Sequence, residues 1–203
     1  MPVLMMMLIT VITFSIERLI TIFKARGRGN VASFVKKIQY LLTTGDLAGA
    51  EAECDKQKGS VANVARAGIK KYREMQKDTT MVKDQKVLAI QKDVEESTAL
   101  ELPMLQKNLP IIATIAPIGT LFGLLGTVIG MIKAFAALAQ AGAPDTVGLA
   151  TGISEALINT AFGIGTSALA IVMYNVFTTR IDELTYAIDE AGYSMAQTFA
   201  EKN

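Results

Sequence analysis

Residues 115–132 read Ile-Ala-Pro-Ile-Gly-Thr-Leu-Phe-Gly-Leu-Leu-Gly-Thr-Val-Ile-Gly-Met-Ile, without one charged side chain. The apolar character extends well beyond this string. From Asn108 to Thr179 only Lys133, Asp145 and Glu155 carry charge. Runs of about 18 or more apolar residues with few charges read as helices that cross a membrane. A short polar break containing Ala-Gly-Ala-Pro-Asp divides the region. This gives a second span over 109–139, a loop over 140–148 and a third span over 149–177.

The first span lies at the start of the chain. Met1 to Ile16 carries no charged side chain, and Glu17, Arg18, Lys24, Arg26 and Arg28 follow it. A signal peptide has the opposite order, with its basic residues ahead of the apolar run. The segment 1–23 is therefore expected to be a retained membrane helix. It is barely long enough for about 30 Å of hydrocarbon, which leaves room for native residues upstream of Met1.

Residues 24–108 form a polar, helix-rich insert. Gly45 and Asp46 predict a turn and N-cap opening a helix that stops at Gly59, and Ser60 is expected to cap another through about Lys77. Val61, Val64, Ala65, Gly68, Ile69 and Tyr72 recur at helical spacing, one apolar stripe against a charged face. A third helix is expected from about Met81 to Leu102. The tail, 178–203, reads as an amphipathic helix. The fold class is all-α: an integral membrane protein with three transmembrane helices and a helical cytoplasmic domain. Lys24, Arg26, Arg28, Lys36, Lys37, Lys107 and Arg180 fall on one side of the spans, whereas the 140–148 loop has only Asp145. By the positive-inside rule the amino terminus is periplasmic, and insert and tail are cytoplasmic. Lys133 dissents, and at the outer end of span two it is expected to snorkel to the interface.

Composition excludes several functions. The 203 residues include no histidine, which removes Ser-His-Asp and Cys-His catalysis and the commonest zinc ligand. No catalytic residue, metal site or cofactor is expected, and the protein is not expected to be an enzyme. The net charge is +1, and no basic block is interleaved with aromatics, so no nucleic-acid partner is expected. Cys54, the single cysteine, rules out an internal disulfide and fits a reducing compartment.

Glu155 is the residue that carries chemistry. An acid inside a membrane span costs at least about 2.5–3.5 kcal/mol on insertion scales. Burial there disfavours the charged form, which suits the group to take and release a proton. At about 100° per residue, Thr151, Asn159 and Thr166 fall within about 40° of Glu155, a polar stripe expected to face an aqueous path or partner. Thr160 lies about 140° away and is expected to face a different neighbour. The competing reading is an interfacial acid paired with Lys133 of a neighbouring subunit. In span two, Gly119, Gly123, Gly126 and Gly130 form one narrow seam suited to close helix packing, with Thr120 and Thr127 along one flank. Thr127 beside Glu155 would supply a hydroxyl able to relay a proton.

The string at 115–132 and Gly-Ile-Ser-Glu-Ala-Leu-Ile-Asn-Thr-Ala-Phe-Gly at 152–163 closely resemble the ExbB/TolQ/MotA family of proton-driven inner-membrane motor proteins. The combination of Thr127, Glu155 and Thr160 with three spans is most similar to the ExbB/TolQ branch. The resemblance covers nearly the whole chain, including Glu17-Arg18-Leu19 in the first span. It implies that Glu155, Thr127 and Thr160 line a pore and serve a proton pathway. It further implies a homopentamer around two single-span helices of an ExbD/TolR-like partner, in the inner membrane of a bacterium. The work done with the proton-motive force would pass to an envelope protein of TonB or TolA type. Two alternatives stay open: a MotA-like ion-driven stator subunit, with sodium as a candidate coupling ion, and a purely structural membrane scaffold. An intramembrane protease would need a Ser-His pair or two membrane aspartates, and the sequence has neither.

Overall fold

The computed structural model describes residues 1–139 and 145–202. The tip of the predicted loop, 140–144, therefore lies outside the described residues, as does Asn203 at the end of the tail. The described residues form seven helices in order: α1 (Pro2–Arg26), α2 (Val31–Thr44), α3 (Leu47–Gln57), α4 (Ser60–Lys77), α5 (Lys83–Gln106), α6 (Leu109–Leu138) and α7 (Thr146–Lys202). No strand occurs among the described residues. Among the described residues, three helical segments, beginning at Pro2, Leu109 and Thr146, are long and apolar enough to cross a membrane. At 1.5 Å per residue, α6 with its 30 residues reaches about 45 Å, more than the hydrocarbon thickness. The chain divides into two compact units. One comprises Met1–Arg18 and Asn108–Phe177; the other comprises Leu19–Lys107 and the chain from Thr178 onward.

The first unit holds the apolar parts of α1, α6 and α7. Its small residues carry the packing. A Cβ built at Gly123 would lie 3.1 Å from Gly163 Cα, and one at Gly130 would lie 2.8 Å from Ala156 Cβ. From the other helix, a Cβ at Gly152 would lie 2.8 Å from Ala134 Cβ. Backbones this close leave no room for side chains between them, the small-xxx-small geometry of membrane helices. At the charged margin of α1, the Glu17 carboxylate accepts from Arg18 Nε at 2.7 Å and from Asn108 Nδ2 at 3.1 Å. Arg18 is almost fully buried, and its charge is matched where it sits.

The second unit is a helical domain with its own core. Asn30 caps α2 by accepting from Ala32 N–H, and Gly45 ends that helix at φ 85°, donating to Leu41 and Leu42 carbonyls. Asp46 caps α3 by accepting from Gly49 N–H, as its position after the glycine predicts. Ser60 is different. It is the first helical residue, and Gly59 occupies the cap without a side-chain bond. The reason is steric: at Gly59, φ is 85° and a Cβ would stand 2.3 Å from the Ala25 carbonyl oxygen. Arg28 N–H donates to the Gln57 carbonyl and Gln57 Nε2 to the Arg26 carbonyl, fastening the same corner. The stripe from Val61 to Tyr72 is buried throughout, and Tyr72 meets Phe199 edge to face at 4.9 Å. Cys54 is fully buried, and burial pushes its thiol up to about 11.

Candidate functional site

The polar groups of the first unit collect along the contact of α6 and α7. α6 carries Thr120, Thr127 and Lys133; α7 carries Thr151, Glu155, Asn159, Thr160, Thr166 and Ser167. The seam glycines let the two backbones approach until short side chains can meet across them. Thr120 Oγ1 donates to Ser167 Oγ at 2.9 Å. The hydroxyls of Thr127 and Thr160 are in direct hydrogen-bond contact. Thr127 Oγ1 also reaches the Gly123 carbonyl at 3.2 Å and the Ala156 carbonyl at 3.4 Å. Thr160 Oγ1 reaches those same two carbonyls at 3.4 Å each. The two threonines thus form one polar knot between the spans.

Thr127 was expected beside Glu155, but its hydroxyl is directed at Thr160. Glu155 faces another group. Its Oε2 lies 3.5 Å from Lys133 Nζ in the same chain, with the two side chains 44% and 61% exposed. Lys133 therefore extends towards the acid of its own subunit, not away to an interface alone. Glu155, Lys133 and Asn159 share a cavity of about 280 Å³ with apolar side chains of α1 and α6.

The stripe read from the helical period has two kinds of member. Thr151 is exposed, and its hydroxyl donates to its own helix at the Val147 carbonyl. Asn159 and Thr166 are 6% and 1% exposed, so within this unit they point between helices and not onto an open face. Asn159 Oδ1 and Thr166 Oγ1 have no hydrogen-bond partner among the described residues. All four seam glycines lie against α7: Gly119 by Ser167 and Gly163, Gly123 by Gly163 and Asn159, Gly126 by Asn159, Gly130 by Ala156. Ser167 escaped the sequence reading. Its only signal was a place next to Thr166 at the level opposite Thr120.

An all-α chain with three membrane-length helices among the described residues, whose polar groups gather where two of them touch, has the makeup of a multi-pass membrane protein. It belongs to the MotA/TolQ/ExbB proton channel family, whose sequence profile matches residues 56–190, more than half of the chain. It is similar to the Tol-Pal system protein TolQ of Pseudomonas aeruginosa, with 27% identity over 190 residues that cover 90% of this chain and 81% of that protein. Membership places the chain among multi-pass membrane channel proteins of the ExbB/TolQ/MotA kind, not among enzymes.

Proposed function

We propose that the chain is the proton-pathway subunit of an ExbB–ExbD or TolQ–TolR type motor complex in a bacterial inner membrane. One observation carries the reading: a carboxylic acid, Glu155, stands inside an apolar span one to two turns from the Thr127–Thr160 hydroxyl knot. In a family of proton channels, this supplies a proton-carrying group with hydroxyls beside it. Glu155 takes and releases the proton, and Thr127 and Thr160 serve the path. Thr151, Asn159, Thr166 and Thr120 provide the polar surroundings of the path, and the glycines fix the distance between the spans.

The complex we propose is a homopentameric ring, with α6 and α7 toward the centre and α1 toward lipid. Two single-span helices of an ExbD/TolR-like partner occupy the middle, and an envelope protein of TonB or TolA type receives the work. Similarity to a Tol-Pal system protein supports this branch over a MotA-like stator. The amino terminus is periplasmic and the helical domain cytoplasmic, on the Lys/Arg asymmetry.

A structural scaffold is the second reading, and the Lys133–Glu155 pair favours it, since a paired acid can serve stability alone. Glu155→Gln separates the two. In a strain that depends on the complex, the variant should assemble at wild-type level and fail to support transduction. Wild-type complementation by Glu155→Gln would remove the proton-carrier role and leave the scaffold.

A further inference from the structure

Asn159 presents a buried amide oxygen that no described residue satisfies. It is 6% exposed, and its Oδ1 has no hydrogen-bond partner among the described residues. An unpaired acceptor at membrane depth costs several kcal/mol unless something supplies a donor. The residue borders the cavity of about 280 Å³ that Glu155 and Lys133 also line, with Leu4 of α1 and Leu125 and Ile129 of α6. All of these residues belong to one unit of one chain.

A cavity takes water when it is roomy and offers two or more polar partners; a purely apolar one stays dry. This one passes on both counts. At about 30 Å³ per molecule its volume holds several waters, and an amide oxygen, a carboxylate and an ammonium converge on it. We propose that it is a hydrated vestibule inside the single subunit, anchored on Asn159 Oδ1, which brings water to Glu155 from between α1 and the α6–α7 pair. The ligand is water and the protons it carries. This inference rests on Glu155 being the proton carrier for its purpose, but not for its existence.

The glycine contacts make the vestibule a fixed feature. Gly130 lies against Ala156 and Gly152 against Ala134, which holds α6 and α7 together on both sides of the Lys133–Glu155 level. Gly126 lies against the Asn159 side chain, where a Cβ would be 2.7 Å from Asn159 Cβ. Asn159 is thus held at the cavity edge by packing.

Thiol reactivity tests the proposal, because methanethiosulfonates attack the thiolate and thiolates form only where water reaches. In the full-length protein in native membranes, with Cys54→Ala as background, Ile129→Cys lines the vestibule. Ile9→Cys, on an exposed part of α1 away from it, is the lipid-facing control. The small cationic 2-aminoethyl reagent should modify the Ile129→Cys thiol at least about tenfold faster than the Ile9→Cys thiol. Adding Asn159→Leu should abolish the difference, and adding Asn159→Ser should keep it. Equal, slow modification of both thiols in the Asn159 background overturns the vestibule. Failure of Glu155→Gln to impair transduction would leave this readout untouched, so the two ideas fail separately.

Discussion

Lys133 Nζ lies 3.5 Å from Glu155 Oε2, and the two side chains come from spans that run side by side in one subunit. Removing Lys133 strands the Glu155 carboxylate within an apolar span, whereas Lys133 without Glu155 can carry its ammonium to the interface on a long stem, and removing both leaves no charge there. Lys133→Met is therefore expected to lower the yield of assembled complex, and Lys133→Met combined with Glu155→Gln to restore it. The double variant should nevertheless remain at least about a hundredfold down in proton flux, the scale of losing a positioned acid. Flux into proteoliposomes and the assembled yield measure the two effects. A double variant that conducts like wild type would make the pair structural.

The Thr127–Thr160 contact predicts coupling between two residues 33 positions apart. Thr127→Val and Thr160→Val each leave one hydroxyl facing a methyl group. In a double-mutant cycle on thermal unfolding they should couple by about 0.5–1.5 kcal/mol. Thr127→Ser, which keeps the hydroxyl, should retain flux that Thr127→Val loses. Additive stability effects, or equal flux from the serine and valine variants, would show that the hydroxyls act apart.

Two glycines of the spans should respond oppositely to alanine. A Cβ at Gly130 would stand 3.0 Å from Ala156 backbone atoms as well as 2.8 Å from its Cβ, so the contact yields only by moving a helix. Gly130→Ala should destabilise by about 1–3 kcal/mol. A Cβ at Gly165 would meet no described atom beyond its own stretch of helix within 4 Å, and Gly165→Ala should be neutral or gain up to about 1 kcal/mol from helix propensity. Melting temperatures in detergent would decide, and equal losses at both positions would contradict the packing described.

Cys54 gives a prediction about alkali. Its thiol is raised from an ordinary 9.0 to about 11, chiefly by burial. The folded form therefore holds this proton more tightly than the unfolded chain. The associated stability is complete below about pH 9 and disappears as the pH rises through about 11. Cys54→Ala should flatten the alkaline decline in unfolding free energy over that window. An unchanged decline would assign it to other groups.

The same burial bears on topology. Native Cys54 is a poor reporter of sidedness, because it should resist a maleimide on either side of the membrane until the domain unfolds. Cysteines at two exposed positions, Asp145→Cys and Tyr40→Cys, serve better. In intact spheroplasts an impermeant maleimide should label Asp145→Cys and spare Tyr40→Cys. The reverse pattern would invert the orientation drawn from the Lys/Arg bias.

Much of the fold was legible because it depends on properties of single segments. Hydropathy located the apolar helices, and Gly45 and Asp46 marked a helix end and the next helix start through local hydrogen bonding. Relations between helices were less accessible. The helical period placed Thr160 away from Glu155, but could not say that Thr127 would be the neighbour it meets. It identified Asn159 and Thr166 as one stripe, without saying that the stripe turns inward. The sequence leaves Lys133 either snorkelling to the interface or facing the acid of another subunit, because the register of α6 on α7 fixes that distance and one helix carries no register. The change from apolar span to polar tail near Arg180 likewise hid that α7 runs unbroken from Thr146 to Lys202.

The glycine contacts between α6 and α7 also limit how a stroke could be made. Slippage of one helix along the other by a turn would move a neighbouring residue into each glycine's place. A shift of four residues brings either Ile115 to the position of Gly119 or Thr127 to that of Gly123; a shift of three brings Phe122 or Thr120 to a glycine position. At the Gly119 position a Cβ would already be 2.7 Å from Ser167 Oγ, and at Gly123 3.1 Å from Gly163 Cα. Every single-turn slip therefore jams on a larger side chain. The two spans are keyed like a shaft in its slot, so a displacement of one has to carry the other with it.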